Sequence, residues 1–178
     1  MAPVILNVRR RGAPHPKAQN ALRHCSSFNS RQRHRNLSRY ANGNGVSSEV
    51  WWSPNHPFKS GLTGQSSKDL ADGYEKASGQ QWIQPTGYKH ALLEVAIDVL
   101  KRSGNPKDKA AVLKAITETD YASIVGQVSW KNGPVKNACQ TPLVGGQWIA
   151  RGDGKFDLTI CENKTAPEIA VQAPFKAL

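Results

Sequence analysis

The side chains best suited to nucleophilic, proton-transfer or metal chemistry are five histidines (His15, His24, His34, His56, His90) and three cysteines (Cys25, Cys139, Cys161). They are scattered too widely to form a catalytic pair. No Gly-x-Ser-x-Gly, His-Glu-x-x-His or Gly-x-x-x-x-Gly-Lys pattern accompanies them, and no pair of acids has supporting context. Three cysteines without Cys-x-x-Cys exclude a disulfide scaffold and a Cys-rich zinc site. Cys25 with His24 and His34 is too loosely spaced for a metal site. Cys139 and Cys161 are either a pair in an oxidising compartment or two free thiols.

Binding chemistry is better represented. Tyr88 and His90 follow Pro85-Thr86-Gly87 at the start of an apolar helical pattern. A helix N-terminus offers unpaired N–H groups to an anion such as a carboxylate. Gly87 permits close approach, and an aromatic ring can wall an apolar ligand group. The competing reading is that Tyr88 simply begins the core face. Trp51 and Trp52 are the second candidate: on extended backbone their rings point to opposite faces, one to the core and one free to line a cleft. Both rings serving as packing is the alternative. His56 reads as a hydrogen-bonded loop residue, and Trp130 and Trp148 as core or hinge residues.

The elements that must position these residues lie beyond residue 44. Glu49 to Trp52 reads as a strand, and the prolines of Ser53 to Phe58 force a loop. Ser66 or Ser67 caps a helix with apolar Leu70, Ala71, Tyr74 and Ala77, stopped by Gly79. Tyr88, Ala91, Leu92, Val95, Ala96, Val99 and Leu100 form a broad helical face. Lys101 and Arg102 suit its C-terminus, and Gly104 and Pro106 end it. A second helix starts near Asp108 and buries Ala111, Val112, Ala115 and Ile116. Ile124 to Trp130 reads as one strand. Gln147 to Ala150 and Phe156 to Cys161 flank Arg151-Gly152-Asp153-Gly154 as a hairpin, with Phe156, Leu158 and Ile160 on one face. This order predicts an α/β or α+β assembly.

The 178 residues carry 24 Lys+Arg against 13 Asp+Glu, a net charge of +11. Residues 1–44 hold nine of the basic residues and no acid, so the rest of the chain is close to neutral. The basic segment has no apolar period and is expected to be disordered. Its charge suits a nucleic-acid arm but comes with little aromatic interleaving. Its Arg/Ser composition also suits a transit peptide. The reading favoured is a segment foreign to the rest of the chain, joined to it at Ala41 to Gly45. No run is long enough for a membrane span, and Pro3 to Val8 is too short for a secretory signal.

The run Glu49-Val50-Trp51-Trp52-Ser53-Pro54-Asn55-His56-Pro57-Phe58, then Thr63-Gly64-Gln65-Ser66, then Gly87-Tyr88-Lys89-His90-Ala91-Leu92, resembles the extracytoplasmic solute-binding proteins of ABC transporters, of the leucine/isoleucine/valine-binding type. Val125 to Trp130 and Asn163 to Ile169 fit the same pattern. The resemblance implies an α/β class, with two Rossmann-like lobes joined by a hinge and a ligand held between them. It further implies that residues 45–178 are only the C-terminal portion of this type I periplasmic-binding-protein fold. On that reading the chain crosses between lobes near residues 85–90. The helix pair then lies in the first lobe and the final hairpin in the second.

The implied function is uptake of an amino acid or related small carboxylic acid, with an ABC permease as partner, no cofactor and no catalysis. The expected ligand-binding residues are Tyr88, His90, Gly87 and Trp52. Impaired binding is expected from a truncated chain. The implied location is the periplasm, or the cytoplasm for a chain without a signal peptide. The alternative is a small basic nucleic-acid-associated protein that uses its Arg-rich arm.

Overall fold

In the computed structural model, residues 44–131 and 133–176 are described. The expectations for the basic segment, including the Cys25 cluster, lie outside these residues, apart from Asn44. The joint expected at 41–45 already belongs to the fold at its end. The Gly45 N–H donates to the Trp148 carbonyl (2.7 Å), and Asn44 Oδ1 accepts from the Ala150 N–H (2.9 Å).

The first strand, β1 (Ser47–Val50), is shorter than expected: Trp51 and Trp52 fall beyond it. It pairs antiparallel with β4 (Val144–Ala150), which forms the expected hairpin with β5 (Phe156–Glu162). The resulting sheet has the order β1-β4-β5. Phe156, Leu158 and Ile160 are buried on one face of β5, as the alternation requires. Gln147 ties this sheet to the tail: its amide donates to the Gly45 and Lys176 carbonyls and accepts from the Lys176 N–H.

Helix α1 (Ser67–Ser78) starts and stops on its local chemistry. Ser66 and Asp69 form a capping box, and Gly79 closes the helix in the left-handed conformation (φ 65°). Helix α2 (Pro85–Ser103) and helix α3 (Lys109–Thr117) come next in the chain and pack against each other. Asp108 caps α3 by accepting from the Ala110 and Ala111 N–H groups.

The face that α2 buries differs from the one expected. Gly87, Ala91, Glu94 and Val99 are buried, whereas Leu92 is 71% and Leu100 46% exposed. The packing is centred on a polar stripe. Glu94 is buried and its carboxylate accepts from the Ile124 N–H (3.1 Å). Asp98 pairs with Arg102, whose guanidinium also donates to the Ala115 carbonyl near the end of α3. These bonds rotate the helix relative to its apolar period. On α3, Ala115 is buried, but Ile116, expected in the core, is exposed.

The single strand expected from Ile124 to Trp130 is instead the second half of a hairpin, β2 (Asp120–Ser123) and β3 (Gly126–Ser129). Ile124 and Val125 make its turn. The Ser123 hydroxyl donates to the Gly126 carbonyl, and Gly126 takes φ 105°. Both turn residues are buried in the core, which explains why a turn has the composition of a strand. The core itself gathers Val50, Trp148 and Ile160 from the three-stranded sheet, Ala71 from α1, Ala91 from α2, Ile124 from the β2–β3 turn, and Trp52 and Trp82 from connecting segments.

Candidate functional site

Beyond β1 the chain bends at Trp51, and the two indoles take different partners. Trp52 is completely buried and meets Trp82 edge to face (centroids 5.8 Å apart, 86°). Trp51 is half-buried and meets Tyr88 in the same manner (5.0 Å, 71°). Gln84, immediately before α2, fixes this turn. Its side-chain oxygen accepts from the Trp51 N–H (2.8 Å) and the Trp52 N–H (3.4 Å), and its amide donates to the Glu49 carbonyl (3.1 Å). Gln84 thereby supplies the partners that a neighbouring strand would give. Its side chain is consequently unavailable to cap α2, which begins on Pro85 with no side-chain cap.

Of the residues singled out in the sequence, Gly87 and Trp52 are brought into direct contact. A Cβ on Gly87 would lie 2.4 Å from Trp52 Cγ, so the absence of a side chain there lets the indole lie on the helix. Tyr88 is half-buried, and its hydroxyl shares a hydrogen bond with the Thr141 hydroxyl. Burial raises the Tyr88 pKa and the bond to Thr141 opposes that shift, so the phenol keeps its proton at neutral pH. His90 is half-buried on the same helix, and its Nε2 has no hydrogen-bond partner among the described residues. Cys139 and Cys161 are free thiols, and burial raises the Cys161 pKa.

His56 is buried in the loop after Trp52, as a hydrogen-bonded loop residue should be. Its Nδ1 accepts from the Ser53 N–H (3.1 Å), which places the ring proton on Nε2 in the neutral tautomer. Burial lowers its pKa from 6.5 to about 4. The unfolded chain therefore takes up a proton near pH 6.5 that the folded chain refuses until about pH 4. Stability attributable to His56 is complete above pH 6.5 and is lost as pH falls, by about 3 kcal/mol at pH 4. Urea unfolding at a series of pH values should show this loss, and His56→Asn, which keeps an acceptor in the Nδ1 position, should flatten it. An unchanged pH profile in that variant would remove His56 as the cause.

Thr141 and Gln84 were not singled out by sequence. Thr141 lies 53 residues from Tyr88 in a segment without a period, and nothing local marks it. Gln84 precedes a proline at a helix start, where capping is the ordinary expectation. Trp51, Tyr88 and Thr141 together form a partly exposed wall of two aromatic rings and two hydroxyls. Such a surface can stack against an apolar or aromatic group and hydrogen-bond a polar one.

The chain matches no protein-family model and no curated protein sequence. Solved structures do match. An ABC-type branched-chain amino acid transporter protein from Rhodopseudomonas palustris CGA009 superposes with a TM-score of 0.55 at 10% identity, over 80% of this chain and 36% of that one. A solute-binding protein of an ABC transporter from Rhodopseudomonas palustris BisB5, solved with 3,4-dihydroxybenzoic acid, gives 0.52 at 18% identity, over 74% and 35%. An amino acid ABC transporter substrate-binding protein from Pseudomonas fluorescens Pf-5 gives 0.52 at 16% identity, over 92% and 45%. The chain has part of the ABC-type solute-binding fold. It spans less than half the length of these solute-binding proteins. Among the described residues no helix is long and apolar enough to cross a membrane.

Proposed function

We propose that this chain supplies one part of a small-solute site in an ABC uptake system, with residues 45–178 as the C-terminal portion of the binding protein. The observation that carries the reading is the Trp51–Tyr88–Thr141 wall on a solute-binding fold. Tyr88 supplies the ring and a donor hydroxyl. Gly87 and Trp52 hold the helix start in position. The ligand class is an amino acid or another small carboxylic acid, and one neighbour is described with an aromatic acid of that kind. The role is binding and delivery to a membrane permease at the periplasmic face, without a chemical step.

A two-lobed site closes over its ligand from both sides. A chain spanning 35–45% of its neighbours offers one part of such a site, so its affinity is expected to be weak. Saturation-transfer NMR on the purified chain, with leucine, valine and 3,4-dihydroxybenzoate at millimolar concentration, is the appropriate measurement. The expected result is weak binding by at least one of them, reduced about tenfold in Tyr88→Phe by loss of one hydrogen bond. No transfer from any ligand, or binding indifferent to both Tyr88→Phe and Trp51→Ala, would overturn the site. Calorimetric saturation in the micromolar range would overturn the expectation of impaired binding.

A further inference from the structure

Between β3 and β4 the chain runs through residues 133–142 without helix or strand. The flanks of this segment are anchored. Before it, the Trp130 indole N–H donates to the Ile116 carbonyl (2.6 Å) and Lys131 pairs with Asp120. After it, the Leu143 carbonyl accepts from the Thr165 hydroxyl. Between the anchors the segment closes on itself. The Ala138 N–H donates to the Val135 carbonyl (3.2 Å), and a Cβ on Gly133 would collide with the Ala138 carbonyl. This is the build of a compact Ω-type loop. Its crown stands away from the core: Val135 is 67% exposed, and Asn137 turns the chain in the left-handed conformation (φ 62°). From 133 to 142, among the described residues, one hydrogen bond reaches the rest of the fold, the one shared by Thr141 and Tyr88.

We propose that residues 133–142 are a strap that opens and closes at the Trp51–Tyr88 wall, with the Tyr88–Thr141 hydrogen bond as its latch. Both latch groups are hydroxyls that water can serve in turn, so releasing them costs far less than opening a strand pair. The apolar contact that accompanies the latch is small. Cys139 is half-buried against the core, and Pro142 rests on Gly126. In the closed position the Tyr88 hydroxyl already has a partner, and release frees it for a ligand. As a gate the strap rests on the solute site proposed above. As a moving part it is measured without ligand, so the two readings fail separately.

Alkylation of the full 178-residue chain by iodoacetamide, followed cysteine by cysteine with mass spectrometry, tests this. Cys139 lies within the strap and reports its opening, whereas Cys161, half-buried in β5, reports the body of the fold. Thr141→Val keeps the shape of the side chain and loses the hydroxyl. It should speed Cys139 alkylation about fivefold, the worth of one net hydrogen bond, and leave Cys161 unchanged. Thr141→Ser retains the hydroxyl and should stay within about twofold of the parent chain. Any ligand that saturation transfer shows to be bound should raise the Cys139 rate about twofold or more by holding the latch open. Equal Cys139 rates in Thr141→Val and the parent chain, or a parallel rise at Cys161, would overturn the latch. A bound ligand that leaves Cys139 unchanged or slower would overturn the gate.

Discussion

Replacing Gly87 with alanine is expected to destabilise the chain by about 2 kcal/mol, although alanine is the better helix former by about 1 kcal/mol. The reason is the Trp52 indole. The added methyl would lie 2.4–2.5 Å from three of its ring atoms, well inside van der Waals contact. The ring has no room to retreat, because it is completely buried and braced against Trp82. Either the start of α2 or the turn after β1 must shift, and both carry the Trp51–Tyr88 contact. Trp52→Ala alone should cost roughly 3–5 kcal/mol through the cavity it leaves. In that background Gly87→Ala should become neutral or stabilising, because the methyl then enters the cavity. Urea unfolding of the two single variants and the double variant measures the coupling. Costs that add within about 0.5 kcal/mol would refute the contact.

Gln84→Ala is expected to cost about 3 kcal/mol. The variant strands the Trp51 and Trp52 N–H groups and the Glu49 carbonyl in a largely buried turn, and each unsatisfied group costs roughly 1–3 kcal/mol where water cannot reach it. The effect should be local before it is global. Hydrogen exchange should show the amides of Trp51 and Trp52 losing protection, while those of the β4–β5 hairpin keep theirs. Gln84→Glu divides the role of the side chain. It keeps the acceptor for the two N–H groups but loses the donor, and it sets a carboxylate against the Glu49 carbonyl at neutral pH. Its stability should recover in part under acid conditions, where a protonated carboxyl donates again. Native protection of Trp51 and Trp52 in Gln84→Ala would refute the role assigned to Gln84.

The two residues differ in how far the sequence announces them. Gly87 stands out as a glycine at a helix start, yet sequence suggests a place for a ligand as readily as a place for an indole. Gln84 is not announced at all. Its amide works on backbone groups 32–35 residues earlier, and nothing in the local pattern encodes that distance. The same holds for Thr141, which meets Tyr88 only because a loop before β4 returns to the start of α2.

Where the sequence succeeds, the interactions are local. The Ser66–Asp69 capping box and the Gly79 stop of α1 span a few residues each, and the Asp108 cap spans three. The β4–β5 hairpin comes from alternation around a glycine-rich turn. The resemblance of the Glu49–Phe58, Thr63–Ser66 and Gly87–Leu92 runs to solute-binding proteins anticipates the fold that the solved structures share. Where it fails, the deciding partner is remote. The Ile124-Val125 turn has the apolar composition of a strand because the core, not the solvent, covers it.

Local sequence marks the cap and the stop of α1, the end of α2 and the start of α3, whereas α2 begins at Pro85, ahead of the expected Tyr88. Those features depend on capping and periodicity, both written within a few residues. Only the tertiary structure decided which tryptophan is buried and which meets Tyr88, and which side of α2 faces inward. A helical period shows that a face is apolar but not what lies opposite it. Here the buried Glu94 carboxylate and the Trp52 ring turn the helix, and Leu93 and Leu100 are left outside.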